Sequence, residues 1–256
     1  MTRAFRSEWF KIRRPSMLLG GLGVMVGFAI LGVIIAVVRA GSGHGELNVA
    51  RLSQPDGFAF MLQRTEEFLG IVALGVVATA TALEYANGTL RNLLVREPRR
   101  VRLLAGKTAA NLLYVVLAVA AASVVALGVA LIAAPSKGVD TSAWLHAGLG
   151  DTVSTMGNLL LAGLGWGVLG ALLAIVLRAP AAAVMVGIAW SLPVENLLTT
   201  AWSSVGHWLP GQQLTAIAAS GNSVSSYGWA LGLGAVFVTL AAVGGMTIFE
   251  RRDVAV

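Results

Sequence analysis

The chain has 256 residues, 57% of them hydrophobic and only 12% charged, and its formal net charge is +6. Soluble domains carry roughly 25% charged residues, so about half that share, alongside long uncharged runs, marks a polytopic membrane protein forming one bundle. The absence of Cys excludes disulfides, thiolate metal sites and Cys nucleophiles, and His44, His146 and His207 lie too far apart to show metal-ligand spacing.

Residues 2–14 place Phe5, Trp9 and Ile12 at i, i+4 and i+7 with Arg6, Arg13 and Arg14 around them, which predicts a basic amphipathic helix in the headgroup plane. The run 17–38 is free of charge and, at about 33 Å as a helix, long enough for a first span. It is also longer than the apolar core of a signal peptide, and no small-x-small cleavage site follows it. A second span is expected over 62–83, its dry part beginning at Phe68. Arg64, Glu66 and Glu67 belong at its interface end, with Arg64 and Glu67 paired one turn apart.

Residues 84–107 form the long polar segment between two apolar ones, with Arg91, Arg96, Arg99, Arg100, Arg102 and Lys107 against Glu84 and Glu97. Leu90, Leu93 and Leu94 fall at i, i+3 and i+4, which predicts a short amphipathic helix ended by Pro98, then a basic lead into the next span anchored at the interface by Lys107. Further spans are expected over 108–134, 153–177, 181–198 and 227–249. The fourth carries Gly163-x-x-x-Gly167, a helix-packing spacing, and the fifth carries Pro193 and Glu195. Residues 199–226 are too broken by Pro and Gly for a span and too apolar for an exposed loop, so a re-entrant or interfacial segment is expected there, its Trp residues at headgroup depth. The fold class is therefore an all-α polytopic membrane protein: six transmembrane helices, an N-terminal amphipathic helix, and a re-entrant segment between helices five and six. Fourteen of the 18 Lys and Arg fall on one side of this layout, which predicts both termini and the central loop in the cytoplasm and assigns the basic excess to lipids and orientation rather than nucleic acid.

The sequence offers no catalytic constellation. Ala105-Gly106-Lys107-Thr108 lacks the first glycine of a phosphate loop, since position 101 is Val101, and it enters a span instead of following a strand. Glu66-Glu67 has no span His to work with. Within the spans, Glu195 is the exception to a near absence of charge, read as an interfacial carboxylate near the outer end of span five or, in a sharper reading, as a gate or a contact for a cationic substrate. Such a bundle has no evident handle on an ion gradient, so energy for transport would enter through the central loop.

Glu84-x-x-x-Gly88-Thr89-Leu90-Arg91-x-Leu93-Leu94, then Pro98-Arg99-Arg100 and Gly106-Lys107, resembles the segment between the second and third helices of ABC-2 type transporter permeases. The N-terminal helix, six spans, broken segment before the last span and Arg-Arg-Asp tail agree, so the resemblance covers essentially the whole chain, and the small size is similar to that of bacterial drug, antibiotic or bacteriocin-immunity exporters. The resemblance implies a multi-pass protein of the bacterial cell membrane that pairs with a second permease chain and docks separate ATPase subunits, which bind ATP and Mg; the chain itself holds no cofactor, no metal and no ATPase site. Glu84, Gly88, Thr89, Leu90, Arg91, Leu93 and Leu94 would then form the coupling helix, with the three leucines buried in the ATPase, Glu84 and Arg91 making charged contacts, and Gly88 allowing a turn. Its motion would tilt spans one, two and five and release a hydrophobic or amphipathic substrate through the dimer interface. Two other readings stand beside it: a membrane scaffold or sensor holding a cytosolic partner by the same loop, and a stand-alone ion-coupled transporter.

Overall fold

A computed structural model describes residues 2–12, 15–41, 46–96 and 99–251, with the side chains at 2–4, 12, 15–18, 91, 92 and 96 left out. Arg13, Arg14, Glu97, Pro98 and Arg252 therefore lie outside the described residues, as do the side chains of Ile12, Arg91 and Arg96. All regular structure among the described residues is helical: α1 (Thr2–Ile12), α2 (Pro15–Ala40), α3 (Val49–Leu52), α4 (Gly57–Gln63), α5 (Glu66–Ala86), α6 (Thr89–Arg96), α7 (Arg100–Ala133), α8 (Leu149–Leu177), α9 (Pro180–Ala189), α10 (Glu195–Ala201), α11 (Ser203–Gly206), α12 (Pro210–Ala218) and α13 (Tyr227–Arg251).

Six helices are long and apolar enough to cross a membrane: α2, α5, α7, α8, the α9–α10 pair, and α13. Because they alternate in direction, α1, the end of α5, the start of α7, the end of α8 and the end of α13 share one end of the bundle, which carries most of the arginines and is called here the basic end. Its opposite is the far end.

The helices run past the expected spans. α7 starts at Arg100 and not near Thr108, so Ala105-Gly106-Lys107-Thr108 is continuous helix and no loop exists there to cradle a phosphate. A helix can continue into the headgroup layer without exposing unpaired backbone, so hydropathy marks the dry part of a helix and not its ends. The expected second span divides at Arg64 and Thr65 into α4 and α5, where Thr65 Oγ1 donates to the Leu62 carbonyl at 2.7 Å. The fifth span is broken by a π turn over Trp190–Val194. Pro193 has no N–H to give to the carbonyl four residues back, and the Glu195 N–H bonds five residues back to Trp190 instead.

α5 and α8 form the centre, with α2 and α7 on one flank and α9 on another. α5 and α8 approach closely because Gly70 lies against the Trp166 indole and Gly170 against the Leu74 backbone; a methyl group at either would collide. Gly163 and Gly167, expected to serve helix packing, face Val115 and Leu112 of α7. One apolar core joins α2, α4, α5, α7, α8, α9, α12 and α13, and a second, smaller cluster of Leu90, Leu103, Leu104, Ile175 and Phe249 sits at the basic end.

Candidate coupling end and membrane cleft

At the basic end, α1 is clamped onto the bundle by four charged side chains. Lys107 Nζ donates to Glu8 Oε2 at 2.7 Å and also bonds Glu84 Oε1. Lys11 Nζ donates to Glu84 Oε1 at 2.8 Å and to Glu8 Oε2 at 3.2 Å. Glu8, Glu84 and Lys107 are all buried. Two carboxylates and two ammoniums make the cluster neutral as a unit, which is what lets it sit out of water. Burial draws the Lys11 ammonium down, but Glu84 and Glu8 outweigh that and hold it above its usual range. The same face of α1 carries Phe5 and Trp9, stacked with ring centroids 6.3 Å apart and half-buried against the main core, while Phe10 is exposed. The aromatic stripe is thus largely covered by protein.

Two expectations change here. Glu84 does not face a partner protein, because its carboxylate is committed to Lys11 and Lys107. Lys107 is no surface anchor, being the most enclosed of the two ammoniums. The contribution of Glu8 escaped the sequence reading. Its one signal was an acidic residue on the aromatic face of an otherwise basic helix, between Phe5 and Trp9.

After α5 ends, Gly88 turns the chain with φ of 62°, a left-handed value that favours glycine, and Thr89 Oγ1 donates back to the Glu84 carbonyl at 3.4 Å. α6 follows as the expected amphipathic helix, but its leucine ridge points into the protein: Leu90 is buried with Leu103, Leu104, Ile175 and Phe249, and Leu93 and Leu94 pack against them. Leu90 is enclosed by the ends of α7, α8 and α13, while Leu93 and Leu94 beside it keep part of their surface open. Gly88 and Thr89 are exposed, and so is Val95, at 80%.

A cavity of ≈ 500 Å³ opens between α2, α5, α7 and α9. Its walls are apolar, including Val24, Phe28, Ile71, Val76, Val184 and Ile188, with Thr79, Asn111 and Tyr114 as the polar exceptions. Gly20, Gly21 and Gly75 also line it, and Gly21 lets Tyr114 approach closely. Its volume lies in the range of about 300–1,000 Å³ typical of small-molecule sites.

At the far end, Arg64 pairs with Glu46 and stacks on Phe60 at 4.8 Å, so it does not pair with Glu67 as expected; Glu67 accepts from Asn196 Nδ2 at 3.3 Å. Glu66 is buried and accepts from Trp166 Nε1 at 3.4 Å. Glu195 is enclosed by protein. It is 0% exposed, and its carboxylate accepts from Trp190 Nε1 at 2.6 Å, from the Gly211 N–H at 3.0 Å and from the Gln212 N–H at 2.8 Å. It therefore caps the N-terminus of α12, where backbone donors lack intrahelical partners and the helix dipole favours a negative charge. The segment 199–226 holds the end of α10 and the short helices α11 and α12. Asn158 secures its exit by donating to Ser220 Oγ at 2.9 Å and accepting from Tyr227 Oη at 2.7 Å.

A clamped N-terminal helix, a short amphipathic helix between spans two and three, and six spans enclosing an apolar cleft coincide with a match of residues 4–193 to the sequence profile described as ABC-2 family transporter protein. The chain belongs to the ABC-2 transporter family. It is a transporter permease, the membrane component of an ABC transporter, and a family of this kind carries no ATPase site of its own. No individual curated protein matches the permease significantly.

Proposed function

We propose that the permease is the membrane half of an ATP-driven exporter, with both termini and α6 in the cytoplasm of a bacterial cell, working as a pair of permease chains on separate ATPase subunits that bind ATP and Mg. The observation that carries this reading is the arrangement of α6. It is fixed to the bundle by its buried ridge, is joined through Gly88 to the helix that bears Glu84, and leaves Val95 exposed on its opposite side. A push on that exposed side has a rigid route into α5, and through the Glu8, Lys11, Glu84 and Lys107 cluster into α1 and α7. α5 and α2 also line the apolar cleft, so the same displacement changes its shape. An apolar cleft with three polar groups suits a hydrophobic or amphipathic substrate, taken from the bilayer and released through the interface between two chains.

Co-purification with a candidate ABC ATPase subunit tests this. Val95→Asp places a charge on the outer side of α6, where no packing opposes it, and is expected to abolish ATPase capture while the permease still inserts and folds. Equal capture by the variant, or no ATPase capture by the unaltered chain, removes α6 as the docking element.

A further inference from the structure

A second groove lies on a different face of the bundle from the large cleft. It has a volume of ≈ 230 Å³ and is bounded by α7, α8 and α13 toward the basic end, with Ala105, Ala109, Val168, Leu172, Ala242 and Gly245 among its walls. Thr108 is the polar exception in its lining. The groove is smaller than the range of about 300–1,000 Å³ for drug-sized ligands, so it is no second substrate site of ordinary size. An apolar slot on a membrane-facing surface forfeits dispersion contacts unless something apolar fills it.

Charge at its mouth identifies the occupant. Arg102 is exposed and shares a helix face with Ala105 and Ala109. Arg100, from the same turn, reaches across and donates from Nη1 to the Glu250 carbonyl at 3.2 Å, tying the start of α7 to the end of α13 over the groove. Arg178 follows the groove residue Ile175 at the end of α8, lies 5.7 Å above the Tyr85 ring, and has a buried Nε with no hydrogen-bond acceptor among the described residues. Arg251 ends α13, and over the described residues of these three helix ends the one carboxylate is Glu250. An apolar slot with cationic side chains at its headgroup end is complementary to a chain that carries a negative head.

We propose that this groove binds one acyl chain of an anionic phospholipid from the leaflet at the basic end, with the lipid phosphate held by Arg102 and Arg178. The site is separate from the transport cleft and from the outer side of α6, so it anchors the ends of α7, α8 and α13 without occupying either. It also gives the surplus of arginines a target other than the ATPase.

The test uses the full chain in uncharged detergent, titrated with dioleoyl phosphatidylglycerol or dioleoyl phosphatidylcholine and followed by native mass spectrometry of retained lipid. The unaltered chain is expected to retain phosphatidylglycerol about tenfold more tightly. In Arg102→Gln/Arg178→Gln that preference is expected to fall to within about twofold, because the two cations that attract the headgroup are gone. Ala242→Phe leaves the arginines in place and fills the slot, and it is expected to remove the tightly held lipid as well; Ala109→Leu fills it from the opposite wall if the first variant does not fold. Retention of the preference by the arginine variant, or by the filled variants, overturns the proposal. Competition by glycerol phosphate as effective as that by the whole lipid also overturns it, since it would show a phosphate site that does not use the groove.

Discussion

The buried charges at the basic end are the residues most sensitive to replacement. Glu84→Gln or Lys107→Met leaves an opposite charge buried with half its partners gone, and removing one member of a buried pair costs about 3–5 kcal/mol. Thermal unfolding in detergent should show a lowered midpoint for each single variant. Exchanging the two charges in one chain should recover part of the loss, and additive losses would show that the two side chains do not act together. At the far end, Arg51 donates to both oxygens of Asp56 at 2.5 and 2.6 Å, and this guanidinium holds the Asp56 carboxyl below its ordinary value of 3.8. A depressed carboxyl contributes stability that is present above its unfolded pKa and lost as pH falls through the folded one. The difference in stability between the unaltered chain and Asp56→Asn should therefore hold at neutral pH and close below about pH 3.8. The effect is small, because the pair is largely open to solvent.

At the scale of elements, the break in the fifth span and the capping of α12 are one construction. Pro193 forces the π turn, the extra residue of that turn re-aims Glu195 toward Gly211 and Gln212, and Trp190 from the same turn supplies the third donor. Glu195→Gln keeps the shape but removes the charge that three N–H groups point at. Charge-assisted bonds are worth about 1.5–3 kcal/mol each, so faster amide exchange is expected over 211–213, with ATPase capture unchanged. Exchange that stays as slow as in the unaltered chain would mean that packing alone holds α12. α6 shows the complementary lesson. Its leucine pattern correctly indicates an amphipathic helix, but amphipathicity states that one face is covered and not by what. The ends of α7, α8 and α13 cover it here. Leu90→Asp is thus a folding variant, and Val95→Asp is the one that can report on docking.

For the whole molecule, the cleft between α2, α5, α7 and α9 is the feature that transport would use. A methyl group on Gly75 would stand 3.9 Å from Val184, in ordinary contact, so a larger side chain there intrudes on the cleft between α5 and α9. Gly75→Leu is expected to lower substrate export several-fold while leaving ATPase capture and expression intact, as measured by export from intact cells or inverted vesicles. Unchanged export would place the path elsewhere on the bundle.

What the sequence determined by itself was whatever depends on local composition and period. Six apolar runs of bilayer length, the aromatic face of α1, the Pro and Gly breaks after Leu198 and the motif from Glu84 to Leu94 are each contained in a short stretch, and they were enough to indicate an all-helical membrane bundle and its family. Only the tertiary structure decided which charges are buried and which ridges are already covered. Glu8, Glu84 and Lys107 are far apart in the chain, and the directions of α1, α5 and α7 bring them into hydrogen-bond range. Glu195 is enclosed because a turn 16 residues later delivers two backbone N–H groups to it. A polar side chain in a membrane protein is placed by the partner that satisfies it, and that partner is fixed by how helices pack in space and not by their spacing along the chain.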